Sequence, residues 1–539
     1  MRRSVVLLFI LAAAFTELFA QQDSIEKIEV VTYTRYSPVL TTARKLPTIP
    51  VFETTETELP EFEYQLPEFR YAVQPTYLPA KAISVKTSSD RVLNDNYFKL
   101  GGGNFLTGLA EVHLHNTQNK NYDFGGFVRH FSSNAGDPEN ADFSDNQLGI
   151  FGTKTTSKGA LSGKLNYERH VVHFYGFNDS LEFDKQFTNQ IYNDINGLIG
   201  WQSNPGRRGW GLATDLDFFL FSTLKNNENA FKLTVNPFLE MKKKGKVDLK
   251  AMVDFNMLDI ADSSFNRLFF HFDPSYSFEA KKFNFKIGVK TLYTLRGDEG
   301  KFRVFPDITA EHYIVKDKLK AFAAVGGGVQ KNQLRTLSYI NPFLLDSIGI
   351  QRTINQLEFN AGIKGTLVKK IDYLVAINYR NQKDLPLFLS DTGVLNRFGT
   401  VYDNLNVLAF RTGLAVRVNE EFFIQWGGTF YNYQTDQQEQ AWQLPDYEID
   451  VNIRYRLGKK LYLRAQTYVI GERFQRDLRE GVNKKLNAFA DINAMAEYRY
   501  SDYLAFFLNV NNISNARYQK WYNYPVYGIN VLGGVSFSL

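Results

Sequence analysis

The chain contains no cysteine. That excludes a disulfide framework, thiolate metal sites, a cysteine nucleophile and attachment through a lipidated cysteine. Histidine is scarce, with 7 in 539 residues. No HExxH, Walker or GxSxG motif occurs, so zinc-protease, P-loop and serine-hydrolase chemistry has no footing in the sequence. An excess of one charge is also missing. The 62 basic and 57 acidic residues leave a net charge of +5, spread along the chain, which is no footprint for nucleic acid. Beyond the N-terminus no apolar run reaches the roughly 20 residues that a membrane-spanning helix needs. The chain reads as a non-enzyme, with no catalytic residue, metal site or cofactor.

What is present points to strands in a membrane. Aromatic residues make up 15% of the chain, with 46 Phe and 30 Tyr, types that suit pleated surfaces and membrane–water girdles. The first 20 residues read as a signal peptide: Arg2 and Arg3, an apolar stretch Val5 to Phe15, then Ala20 for cleavage. The apolar stretch is too short for an anchor.

Residues 21–95 form a different segment. Seven of the chain's 16 prolines lie between Pro38 and Pro79, beside an acidic stretch from Glu53 to Glu68. Proline fixes φ and removes donors, so an extended, irregular periplasmic segment is expected. A short repeat pairs Leu59-Pro60-Glu61-Phe62-Glu63-Tyr64 with Leu66-Pro67-Glu68-Phe69-Arg70-Tyr71. Phe62, Tyr64, Phe69, Tyr71 and Tyr77 are candidates for docking on a partner or in a lumen, because a free tail has no need of such rings.

From Tyr97 the pattern turns to period two. Tyr447, Ile449, Val451, Ile453 and Tyr455 alternate with Glu448, Asp450, Asn452, Arg454 and Arg456. Asn487 to Arg499 and Gln356 to Lys364 repeat the rhythm. One face suits lipid and the other water. The fold class is therefore all-β: residues 96–539 form one transmembrane antiparallel barrel of about 22 strands. Links after even-numbered strands are short, as at Thr156 to Lys158 and Gly458 to Lys459. Links after odd-numbered strands are long, as at Val172 to Thr188, Asn332 to Arg352, Gln382 to Asp403, Gln475 to Lys485 and Ile513 to Tyr527. Short turns belong on the periplasmic side, which puts both termini there. His113, His115, His130, His170 and His173 read as polar wall residues, and Glu448, Asp450 and Asp491 as lining of a wet interior.

Two stretches carry a family resemblance. Tyr97-Phe98-Lys99-Leu100-Gly101-Gly102-Gly103-Asn104-Phe105-Leu106-Thr107-Gly108 resembles the opening strands of TonB-dependent receptor barrels. Leu508-Asn509-Val510-Asn511-Asn512-Ile513, Ala516-Arg517-Tyr518, Trp521, Tyr524-Pro525 and Gly528 resemble their close. The resemblance covers Tyr97 to Leu539 and implies an outer-membrane barrel. Such receptors carry a folded plug before the barrel. Residues 21–95 are too few and too proline-broken for one, so the chain is similar to plugless, Bacteroidetes-type receptor-like barrels. Val30, Val31 and Thr32 resemble the short segment that contacts TonB, with an exposed β-prone tail as the alternative. Phe537 and Leu539 look like the C-terminal signal read by the barrel-assembly machinery, although that signal often ends in Phe.

A barrel this wide needs a filler or is a pore. The candidates are residues 21–95, the long loops 332–352 and 382–403, or a partner. The expected function is a structural subunit of an envelope transport, secretion or assembly complex. The alternative is a solute channel or transporter gated by its N-terminal segment or outer loops. Expected partners are membrane lipids and lipopolysaccharide, the assembly machinery, and outer-membrane or periplasmic proteins.

Overall fold

A computed structural model describes residues 96–539 apart from positions 117–120, 135, 137, 178–180, 182, 205–208, 243–244, 262, 297–298, 317, 369 and 394. The readings made for residues 1–95 lie outside the described residues.

The elements, in chain order, are β1 (Asn96–Gly103), β2 (Thr107–Asn116), β3 (Tyr122–Ser133), β4 (Phe143–Thr156), β5 (Gly159–His173), α1 (Lys185–Thr188), β6 (Asn189–Ser203), β7 (Trp210–Ser222), β8 (Asn227–Met241), β9 (Gly245–Ile260), β10 (Ser263–Ala280), β11 (Phe283–Arg296), β12 (Glu299–Val315) and β13 (Leu319–Gln330). Then come α2 (Leu334–Ile340), β14 (Thr353–Leu367), β15 (Ile371–Ser390), β16 (Phe398–Arg417), β17 (Phe422–Thr435), β18 (Tyr447–Leu457), β19 (Leu461–Ile470), β20 (Arg473–Asp477), β21 (Val482–Leu486), β22 (Phe489–Arg499), β23 (Leu504–Asn511), β24 (Gln519–Trp521), β25 (Tyr524–Pro525) and β26 (Asn530–Ser538). Twenty-two of these strands form one sheet, and β20–β21 and β24–β25 are separate hairpins. Every ladder is antiparallel, and β26 pairs with β23 on one side and β1 on the other, which closes the sheet into a barrel. The expected 22 strands are all present.

Register turns the dyad pattern into a continuous apolar belt. Ile199 lies opposite Leu216, Leu216 opposite Leu233, Leu233 opposite Val253, and Val253 opposite Phe270. Phe270 then meets Tyr293, and Tyr293 meets Phe302. All seven are exposed on the outer wall. A closed ladder satisfies the backbone and leaves no edge, so this wall is suited to lipid. The opposite face is wet. Lys286 pairs with Asp307 at 2.6 Å, and Glu311 pairs with Lys320 at 3.0 Å and Lys364 at 3.1 Å.

The closing seam needs glycine. A Cβ on Gly534 would stand 2.0 Å from the Leu100 carbonyl oxygen and 2.7 Å from the Phe507 ring. A Cβ on Gly101 would meet the same ring at 2.7 Å. The Phe507 ring fills the space these residues leave, and Lys99 Nζ sits 3.8 Å above it. At the other rim Gly458 turns β18 into β19 with φ of +61°, a region open to glycine without strain.

Two long links differ from expectation. The sequence predicts a long loop over residues 382–403. They are largely strand: β15 runs on to Ser390 and β16 starts at Phe398. Residues 475–485 belong to the β20–β21 hairpin. In both cases the pairing is between long-link residues that carry no clean two-residue rhythm.

Candidate functional site: the capped mouth and its basic cavity

The long links all leave one rim, and there they fold inward over the lumen. The link after β13 carries α2 back against the inner wall of β5 to β10. Its base is tied by Asn332 Nδ2, which donates to Gln351 O at 2.7 Å and Thr353 Oγ1 at 3.0 Å. Leu334 and Leu337, one helical turn apart, bury one face of α2 among Tyr192, Phe219, Phe221 and Leu258. The other face carries the polar anchors. Arg335 Nε donates to Asp194 Oδ2 at 2.6 Å, and its backbone N–H donates to Glu228 Oε2 at 3.0 Å. The Tyr339 hydroxyl lies 2.8 Å from Asp194 Oδ2 and 3.1 Å from Glu168 Oε2. Burial, and then the two carboxylates, hold the Tyr339 hydroxyl well above its ordinary pKa, so it stays a neutral donor. Lys331 pairs with Asp254 at the foot of the link. Burial lowers its pKa, and Asp254 opposes the shift.

Other links join over the centre. Phe343 stacks on Tyr524 with ring centroids 3.8 Å apart, and Tyr524 meets Tyr175 edge-on at 4.8 Å. Trp521 packs against Phe388 and Phe398, each at 5.3 Å. Phe398 N–H donates to Phe343 O at 2.8 Å. These rings come from the links β5–β6, β13–β14 and β23–β26 and from the tips of β15 and β16, which stand at four places around the barrel. Contacts between them require that the links reach across the mouth. The mouth is capped by the chain's own loops, one of the three fillers open from the sequence.

Between the ends of the β13–β14 link and the wall of β9 to β14 lies a half-open cavity of about 700 Å³. Five cationic residues line it, Arg267, Lys301, Arg303, Lys331 and Arg352, against one acid, Asp384. Arg267 Nη2 donates to Ile350 O at 3.0 Å and so holds the link in place. Neither Lys301 nor Arg303 has an acidic partner within 4 Å among the described residues. Arg303 Nη1 is buried with no hydrogen-bond partner. Nothing local in the sequence marks this cavity, because its cations come from two strands, β10 and β12, and from the two ends of the β13–β14 link. The apolar density of Leu334, Leu337, Phe343, Leu344 and Leu345 was a readable sign that the link folds inward.

The remaining sequence candidates fall as follows. Phe62, Tyr64, Phe69, Tyr71, Tyr77, Val30, Val31 and Thr32 lie outside the described residues. Phe537 is exposed on β26, opposite Phe98 on one side and Leu504 on the other. Leu539 exchanges backbone hydrogen bonds with Asn96 at 2.8 and 3.0 Å. His113 stacks on Phe127 at 5.6 Å, His130 Nδ1 lies 2.8 Å from Asn146 Oδ1, and His115 and His170 each meet an aspartate, Asp123 and Asp145. No group of three or more His, Asp or Glu able to hold a metal occurs among the described residues.

No family model matches the chain, and no curated protein matches its sequence. Solved structures do match in fold. The FrpB iron transporter of Neisseria meningitidis matches with a TM-score of 0.66 and 9% identity, over 83% of each chain. The pyoverdine outer-membrane receptor FpvA of Pseudomonas aeruginosa gives 0.63 and 10% identity, over 83% of this chain and 79% of that one. The ferric-catecholate import receptor Fiu of Escherichia coli K12 gives 0.62 and 10%, over 83% and 82%. The described residues thus have the 22-strand barrel of outer-membrane receptors, and these neighbours are transport proteins rather than enzymes.

Proposed function

We propose that the protein is a gated outer-membrane transporter whose gate is the folded cap, above all the link 332–352. The observation that carries this reading is the way the link is held. Its helix rests on two leucines and on polar contacts to Asp194 and Glu228 on the wall, with Lys331 on Asp254 at its foot, not on a ladder shared with the wall. Such contacts are made and broken as a set, which suits a two-position element better than permanent wall. In this reading the long-link rim faces outward and both termini face the periplasm. Residues 21–95 then lie on the periplasmic side, where Phe62, Tyr64, Phe69, Tyr71 and Tyr77 dock in the lumen or on a partner. Val30 to Thr32 would offer TonB a contact there. Phe537 and Leu539 address the chain to the assembly machinery.

The test replaces residues 334–350 with a Gly/Ser linker of equal length and leaves all barrel strands intact. Single-channel conductance and liposome permeability to small sugars should rise. An unchanged conductance would show that the cap is not the barrier. A second variant lacking residues 21–90 separates the two gates: a rise only there assigns the barrier to the N-terminal segment. Stable subunits that co-purify with a tagged chain in mild detergent, joined to an unchanged conductance, would favour the structural-subunit role.

A further inference from the structure

The barrel wall is not zipped evenly. The β12–β13 ladder runs from Val315–Leu319 to Asp307–Gly326 and stops there. Beyond that point Gly300 to Pro306 pair only with β11, and Gly328 to Gln330 only with β14. The break has local causes. Pro306 is the next residue of β12 and has no N–H to donate. Across from it, β13 shifts register between Gly326 and Gly328. The Phe305 ring lies where a side chain on Gly327 would stand, 2.7 Å from that Cβ position. The two strands therefore part over the half of the wall nearest the capped mouth.

Phe302 and Val304, on the outer face of the unpaired stretch, are both exposed. Unshared backbone groups at lipid depth are costly, which makes this stretch a weak part of the wall. Directly behind it lies the basic cavity. Lys301 and Arg303 enter it from β12, Lys331 from just past β13 and Ile354 from β14. Its floor is apolar, with Leu258, Phe269 and Ile348. Arg303 brings a planar fork with a buried, unbonded Nη1, and Lys301 brings a second charge.

We propose that the β12–β13 seam is a lateral opening, and that the cavity behind it receives the anionic phosphate headgroup of a membrane amphiphile. The charge would rest on Lys301 and Arg303, the first methylenes on the apolar floor, and the chains would leave through the seam into lipid. A cavity of about 700 Å³ holds a headgroup and glycerol unit but not the tails. This inference does not depend on the cap being a gate.

The test uses the full chain in detergent micelles, followed by native mass spectrometry. The probes are dioctanoyl phosphatidic acid, the neutral dioctanoylglycerol and inorganic phosphate. Phosphatidic acid should bind one to one and at least about tenfold more tightly than either other probe. The double variant Lys301→Gln, Arg303→Gln should lose that advantage, while Lys459→Gln on the opposite rim should keep it. Equal binding of the neutral lipid, or wild-type binding by the double variant, overturns the proposal. Phosphate binding as tightly as the lipid marks a plain anion site and overturns the lateral route. Because the chain has no cysteine, cross-links report the seam cleanly. The pair Ile308→Cys, Val325→Cys, which are partners in the ladder, should oxidise readily and leave binding unchanged. The pair Val304→Cys, Val329→Cys should oxidise slowly and, once closed, abolish lipid binding until reduced. Equal oxidation rates with unaltered binding would show that the wall does not open there.

Discussion

Asp194 has a side chain only 1% exposed, and its Oδ2 takes both the Arg335 guanidinium and the Tyr339 hydroxyl. A buried carboxylate left without its cation is strongly unfavourable, by about 3–5 kcal/mol. Arg335→Ala should therefore free α2 from the wall without unfolding the barrel. Hydrogen exchange of residues 334–345 should rise, while exchange in β6 and β8 stays slow; protection unchanged in α2 would mean that its leucines alone hold it. Asp477, in the β20–β21 hairpin outside the membrane, supplies the pH dependence. Burial raises its pKa, but N–H groups of Glu480 and Arg479 and the Tyr522 hydroxyl at 2.9 Å outweigh burial, and the net shift is downward. A depressed carboxylate stabilises the fold above its unfolded pKa, and that contribution is lost as pH falls through the folded value. The contact between the hairpin and the β23–β26 link should thus hold at neutral pH and weaken only below roughly pH 4. Exchange at Tyr522 measured from pH 7 to pH 3 checks this, and Asp477→Asn should remove the pH dependence.

Strands were legible one by one because each carries its own rhythm. Tyr447 to Arg456 alternates oily and wet residues whatever lies beside it, and β18 spans almost that stretch. The cap was not legible in the same way. Phe398 belongs to β16, Trp521 to β24 and Phe343 to the link after α2, and nothing in their local sequence says that they meet. The extended tip of β15 shows the reason. Leu385 to Ser390 are buried on both faces, so their pattern has no alternation to read. The split between β12 and β13 falls where weak strand residues meet, since Pro306 follows the last β12–β13 pair and Gly326-Gly327-Gly328 stands across from it. The closing seam of β1 and β26 gives an element-scale prediction. Gly534→Val puts a branched side chain where a Cβ already stands 2.0 Å from Leu100 O, and overpacking of this kind costs about 1–3 kcal/mol or more. The heat-modifiable, folded form on cold SDS gels should fall sharply. Gly349→Val, in the β13–β14 link with no atom within 4 Å of its Cβ position, should leave barrel closure intact.

A barrel in lipid differs from a soluble sheet in having its oily face outside. Here the belt from Ile199 through Val253 to Phe302 is continuous because the register is, and the ion pairs of the lumen lie on the other face of the same strands. The two faces should therefore answer a new charge in opposite ways, and β9 offers both within two residues. Val253 is exposed in the middle of the belt, between Leu233 and Phe270, while Met252 points inward on the face that carries Lys250 and Asp254. Lysine at the midplane of a lipid-facing wall costs about 2–4 kcal/mol, and the cost falls toward the rims. Val253→Lys should lower the stability of the barrel refolded into phosphatidylcholine vesicles by that amount. Met252→Gln, on the wet face, should change it little. Because the cost comes from dehydrating the charge in hydrocarbon, it should shrink when the same Val253→Lys barrel is refolded in detergent micelles, which bend and admit water. Equal losses for Val253→Lys and Met252→Gln in vesicles would mean that lipid does not face the belt, and that the closed sheet folds in water instead.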